Sequence, residues 1–102
     1  MTLHIVETDE QRGFPSDQVH VTPLVDTDEV RALLLHLDAG QSVAPCQMAC
    51  AVLYYVIEGQ GQLRVGDEQA GLRTGSLVVV PAGAVRDISA TEPMRLLAAQ
   101  IL

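Results

Sequence analysis

The chain contains no lysine, so its only strong bases are six arginines, set against thirteen acidic residues. The formal net charge is −7, and no cluster of arginines interrupts this acidic character. Nucleic acids and anionic membrane surfaces both require local positive charge on a protein that binds them. We therefore expect neither nucleic acid nor a membrane among the partners of this protein.

Long hydrophobic runs are missing too. The apolar segments fall far short of the ~20 residues that a membrane helix needs. The first ten residues, MTLHIVETDE, have neither the positive segment nor the apolar core of a signal peptide. A cytoplasmic location is the default expectation. In that reducing compartment, Cys46 and Cys50 are expected to be free thiols.

Hydrophobic residues make up 48% of the 102 residues, which is enough for one domain with one core, spanning 1–102. About ten short β-prone segments alternate with turn residues every 8–12 positions, a pattern typical of an all-β barrel or sandwich. Leu3 to Val6 is the first of these segments. Pro23 places the next at a sheet edge, because proline cannot donate to a central ladder. Residues 1–29 are thus expected to be peripheral.

Three segments carry less certain signals. Val30 to Leu37, VRALLLHL, has helix-favouring residues but the length of a strand. Asp26 to Glu29 fits either a polar turn or a helix N-cap. Leu77 to Val80 is a continuous apolar run, typical of a strand that is covered on both faces.

Two stretches have a distinctive spacing of glycine and proline: Gly40 to Gly59, GQSVAPCQMACAVLYYVIEG, and Gly75 to Ala90, GSLVVVPAGAVRDISA. They resemble the two motifs of the cupin superfamily, G-x5-H-x-H-x3-4-E-x6-G and G-x5-P-x-G-x2-H-x3-N. The matching positions are Gly40, Gly59, Gly75, Pro81 and Gly83. The resemblance implies a double-stranded jelly-roll β-barrel in which 30–37 is a strand that ends before Gly40.

The metal-ligand positions of the cupin motifs carry other residues here. Cys46 and Met48 replace two histidines, Val52 replaces the glutamate, and Arg86 replaces the third histidine. Valine has no donor atom, and a permanent guanidinium cation repels a metal ion. We therefore expect no metal of the usual cupin kind and no other cofactor.

Cys46, Met48 and Cys50 are spaced two residues apart, so a regular strand would place all three on one face. Thiolate and thioether donors suit Cu(I). Free cysteine and methionine are also ordinary core-filling residues, and we favour that interpretation. A disulfide is not expected in a regular strand, because four residues span about 13 Å.

Arg86 has two interpretations that the sequence leaves open. If it points into the barrel, as the cupin motif implies, its buried charge needs an anionic partner. If it lies at the barrel mouth, it pairs with Asp87 or Glu92 on the surface.

The candidate ligand-binding residues are Arg86, Tyr54, Cys46, Met48 and His36. On strand alternation Tyr54 shares its face with Val52, and His36 is the only histidine near the motifs. These residues predict a metal-free barrel that binds a small molecule with an anionic head and an apolar body. Two alternatives are a small cupin enzyme of isomerase, decarboxylase or oxygenase type, which the resemblance implies, and a Cu(I) or redox protein. No catalytic residue is identified.

The segments Leu33 to Leu37 and Leu77 to Val80 are too apolar for solvated sheet faces. A symmetric homodimer would cover them, and the cupin resemblance implies the same. Tyr55 is expected to point outward.

Overall fold

The computed structural model describes residues 3–8 and 19–102, which contain nine β-strands and no α-helix. The strands are β1 His20–Asp26, β2 Val30–Leu37, β3 Ser42–Gln47, β4 Ala51–Glu58, β5 Gln60–Val65, β6 Glu68–Arg73, β7 Leu77–Val80, β8 Val85–Ala90 and β9 Met94–Ile101. The all-β prediction is confirmed, except that the run from Leu3 to Val6 is not a strand. No helix that could span a membrane occurs in the described ranges.

The strands form two antiparallel sheets, ordered β1-β2-β9-β4-β7 and β3-β8-β5-β6. One buried cluster unites the facing sides of both sheets. Alternate residues of most strands supply it, including Val52, Tyr54 and Val56 from β4 and Ile88 and Ala90 from β8. Such alternation is the expected pattern for a strand with one buried face. The architecture is the predicted jelly roll.

The segment Val30 to Leu37, for which the sequence left helix and strand open, is a strand that is paired along its whole length. This strand, β2, is hydrogen-bonded to β9 on one side and to β1 on the other. The pairing outweighs the helix propensity of its leucine and alanine residues. The preceding segment is a tight turn, because the backbone N–H of Val30 donates to the Thr27 hydroxyl (3.1 Å). Pro23 lies in β1 at the sheet edge, as predicted.

Strand β7 corrects a prediction. Leu77 and Val79 are 61% and 60% exposed, whereas Val80 is buried and Val78 packs on the core. The sequence pattern predicted cover on both faces. Among the described residues only the inner face is covered, and the odd-numbered residues of β7 point away from the core.

Candidate ligand-binding site

Arg86 points into the barrel. It lies on β8 two residues before Ile88, which belongs to the core cluster, so strand alternation places both side chains on the inner face. The Arg86 side chain is only 1% exposed. A surface ion pair between Arg86 and Asp87 is excluded. Asp87 faces the other way and accepts a hydrogen bond from Arg64 (Nη2 to Oδ2, 2.8 Å).

The guanidinium of Arg86 is buried inside the barrel. Nε, Nη1 and Nη2 are all shielded from solvent, and none has a hydrogen-bond acceptor within residues 3–8 and 19–102. An arginine presents five N–H donors and cannot lose its charge inside a protein. Burying such a group unpaired costs several kcal/mol. An anionic hydrogen-bond acceptor would therefore stabilise the buried Arg86 guanidinium.

Two other predicted residues lie beside Arg86. The Cα of Cys46 on β3 is paired with that of Arg86 on β8. Tyr54 comes from the facing sheet, and burial raises its pKa above the usual 10.0, while the Arg86 charge opposes this rise and Cys46 adds to it. A side-chain hydrogen bond with Arg86 also opposes the rise in pKa, so the phenol lies against the guanidinium, although the geometry of this contact is too poor for Tyr54 to satisfy the buried N–H groups. Tyr54 remains a neutral hydrogen-bond donor and acceptor at physiological pH.

The predicted row of sulfur atoms does not form. Strand β3 ends at Gln47 and β4 begins at Ala51, so Met48 and Cys50 lie in the connecting turn rather than on one strand face with Cys46. Both residues are half-buried and pack against the core, and both cysteines are free thiols. The carbonyl of Met48 accepts the backbone N–H of Gly83 (2.8 Å), which ties this turn to the β7–β8 turn. Met48 therefore lies at the end of the barrel.

His36 does not join this group, and its predicted position beside Arg86 is corrected. Its neighbours Leu35 and Leu37 face the core, so the His36 side chain is on the outer face of the five-stranded sheet. There its Nε2 contacts Oδ1 of Asp38 at 3.2 Å. A lone histidine in an apolar strand could belong to either face, and only the register of β2 decides between them.

Arg95 is a second buried arginine, which sequence reasoning missed. It is 3% exposed and lies opposite His36 on that same outer face. Its guanidinium donates to the carboxylate of Glu58 and to the carbonyl of Thr8 (3.0 Å). The sequence feature that could have identified Arg95 as buried is its position inside the apolar run of β9. Arg95 has acceptors, whereas Arg86 has none among the residues that the structure describes, so of these two buried arginines Arg86 is the one that indicates a ligand site.

The two packed sheets form a jelly-roll barrel. The Arg86 side chain, from the second motif, points between them and gives the barrel an internal polar group. The chain belongs to the cupin family, since residues 34–99 match the family described as Cupin domain. No curated protein matches the sequence significantly.

Several solved structures share this fold. TT1209 from Thermus thermophilus superimposes with a TM-score of 0.87 at 24% identity, covering 97% of each chain. A cupin superfamily protein from Desulfitobacterium hafniense gives a TM-score of 0.85 at 20% identity, covering 91% of this chain and 85% of the other. Salicylate 1,2-dioxygenase from Pseudoaminobacter salicylatoxidans, solved as adducts with gentisate, gives 0.78 at 20% identity over 92% of this chain and 28% of its own. At these identities the likeness shows the fold alone.

The residues at the family's metal positions do not fit a metal ion. Val52 is buried in the core without a donor atom, and the Arg86 cation lies where the cupin motif has a histidine. Among the residues that the structure describes, no three His, Cys, Asp or Glu side chains are grouped to hold a metal. Imidazole and carboxylate donors are what divalent cations of this class require.

Proposed function

We propose that this protein is a metal-free small-molecule-binding cupin, and that its barrel holds a small organic anion on Arg86. The observation that carries this proposal is the buried guanidinium without an acceptor. A fold does not define a function, so the proposal rests on this group rather than on the cupin architecture. An anion would provide the missing hydrogen bonds and neutralise the buried charge.

The surroundings of Arg86 favour a carboxylate with an apolar body. The planar guanidinium matches a carboxylate with two parallel hydrogen bonds. The Tyr54 hydroxyl stays protonated and can donate a further one. Val65, which is paired with Arg86 on the next strand, supplies an apolar wall. Cys46, which is paired with Arg86 on the other neighbouring strand, would lie next to the head group, and Met48 in the turn at the barrel end would be farther away.

The test is a thermal-shift screen of monocarboxylates and phosphates on the wild type, Arg86→Met and Arg64→Met. Monocarboxylates should raise the melting temperature of the wild type, since a ligand at 100 times its Kd adds about 2.7 kcal/mol. Arg86→Met should lose this response. Arg64→Met is the matched control, because Arg64 is on the outer face and pairs with Asp87. Equal stabilisation of the wild type and Arg86→Met by the same acids would refute the anion site.

We also propose that the protein forms a homodimer through the outer face of β4 and β7. Tyr55, Leu77 and Val79 are 41%, 61% and 60% exposed there, and Tyr55 points outward as predicted. Tyr55 pairs with Leu77 in register, so these side chains form one apolar patch.

Light scattering at micromolar concentration should return twice the 10.9 kDa chain mass. The double substitution Leu77→Glu and Val79→Glu should give a monomer, because charges in the patch oppose its burial. Val85→Glu is the control, as Val85 is 49% exposed but belongs to the other sheet. A monomeric wild type, or a dimer that survives the double substitution, would exclude this interface.

A further inference from the structure

An apolar cleft of about 200 Å³ opens between the β5–β6 hairpin and the edge strand β7. It lies where the two sheets are not bonded to each other, since β6 and β7 are edge strands of different sheets. Its apolar walls are Leu63, Val65, Ala70, Val78, Val80 and Pro81. Val79 and the polar residues Glu68 and Gln69 complete the lining.

The inner wall of this cleft adjoins the Arg86 site. Val65 is the register partner of Arg86, and Val78 is the register partner of Tyr54. Paired Cα atoms on antiparallel strands are about 5 Å apart. The two valines that line the cleft therefore each lie next to one polar member of the site. Both are only partly buried, whereas Arg86 behind them is closed to solvent.

We infer that the cleft is the apolar subsite of the anion site, and that the ligand is a small aliphatic monocarboxylate entering from this side. The inference rests on the proposed function, because Arg86 must hold the carboxylate. The hydrocarbon chain occupies the cleft while the head group reaches the guanidinium between Val65 and Val78. Since Arg86 is 1% exposed, binding requires these two side chains to rearrange.

Volume and charge narrow the ligand class. The 200 Å³ of the cleft is below the range of typical drug-sized pockets, about 300–1,000 Å³. Such a volume suits an acid of short or medium chain length rather than a long-chain fatty acid. Glu68 also lines the cleft, so its carboxylate disfavours a second acidic group on the ligand.

The experiment titrates straight-chain carboxylates from acetate to octanoate into the protein by calorimetry. In the wild type, affinity should rise about fourfold per methylene until the cleft is full. Ala70→Phe should abolish this rise by filling the cleft, so that the longer acids bind no more tightly than acetate. Ala70 is exposed on its edge strand, so the fold should accept the larger residue. Ala44→Phe, an exposed alanine on β3 outside the cleft, is the control and should behave as the wild type.

A second variant tests the dependence of affinity on chain length without relying on Ala70→Phe. Val78→Ala enlarges the cleft and should shift the best ligand to a longer chain. The cleft assignment is overturned if acids bind through Arg86 but acetate and octanoate bind equally well, or if neither variant changes the dependence on chain length. Binding that is absent in the wild type, or unchanged in Arg86→Met, would instead overturn the proposed function itself.

Discussion

Arg86→Met is expected to stabilise the unliganded protein, although it removes a residue of the barrel interior. The guanidinium is 1% exposed and has no acceptor within the described residues, so the folded state carries its desolvation cost. Methionine is unbranched and fills irregular space well. We expect the free energy of unfolding to rise by about 1–4 kcal/mol. For a domain of this size, each kcal/mol raises the melting temperature by about 4–8 °C.

The measurement is chemical and thermal denaturation in a buffer free of carboxylate and phosphate, which would otherwise stabilise the wild type. Arg64→Met serves again as the control, since an exposed ion pair contributes less than about 1 kcal/mol. If Arg86→Met is less stable than both the control and the wild type, the guanidinium is already satisfied inside the barrel. The main argument for an anionic ligand would then fail. A gain in stability would show that the native residue sacrifices stability for function.

Gly59→Ala is expected to cost more than about 4 kcal/mol, the largest loss among single substitutions considered for this chain. Gly59 has φ of +100°, a conformation that L-residues with a side chain rarely adopt. An added Cβ would also collide with the carbonyl oxygen of Pro93 and lie 2.6 Å from the Cα of Met94. Met94 is fully buried, so the backbone of Pro93 and Met94 cannot move away to make room for the added Cβ. Small domains have only about 5–15 kcal/mol of stability in total.

Two further glycine variants separate the two causes. Gly75 has φ of +89° but open space around its Cβ position, so Gly75→Ala carries the backbone strain alone, about 1–3 kcal/mol. Gly71 has neither strain nor a close neighbour, and Gly71→Ala should change stability by less than about 0.5 kcal/mol. Urea denaturation of the three variants gives the comparison. If Gly59→Ala costs no more than Gly75→Ala, the close approach of Pro93 and Met94 does not restrict this site.

The fold was predictable because local signals agreed with the global pattern. The glycine and proline spacing of the two motifs indicated cupin turns, and Gly59 and Gly75 do have positive φ. Alternation in β4 and β8 placed Tyr54 and Arg86 on inward faces. One local prediction failed, the strand at Leu3 to Val6, and the predicted cover on the outer face of β7 is not supplied by the described residues. Both depended on what packs against the segment, which local pattern does not contain.

The candidate site was only partly predictable. Arg86, Tyr54 and Cys46 do lie together, whereas His36 belongs to the outer face and Met48 to the barrel end. The misplacement of His36 came from treating proximity to the motifs in sequence as proximity in space. Met48 was misplaced because the end of β3 at Gln47 had no clear local signal.

By itself, the sequence determined the strand pattern, the cupin turns and the loss of metal donors at the motif positions, because each depends on residue type and short-range spacing. Only the tertiary structure decided that Arg86 has no acceptor among the described residues and that its neighbour Val65, with Val78, lines a cleft. Those relations join strands that are distant along the chain. They depend on sheet register, including the irregularity between Val43 and Cys46 on β3. A shift of one residue in register would turn each of these side chains to the opposite face.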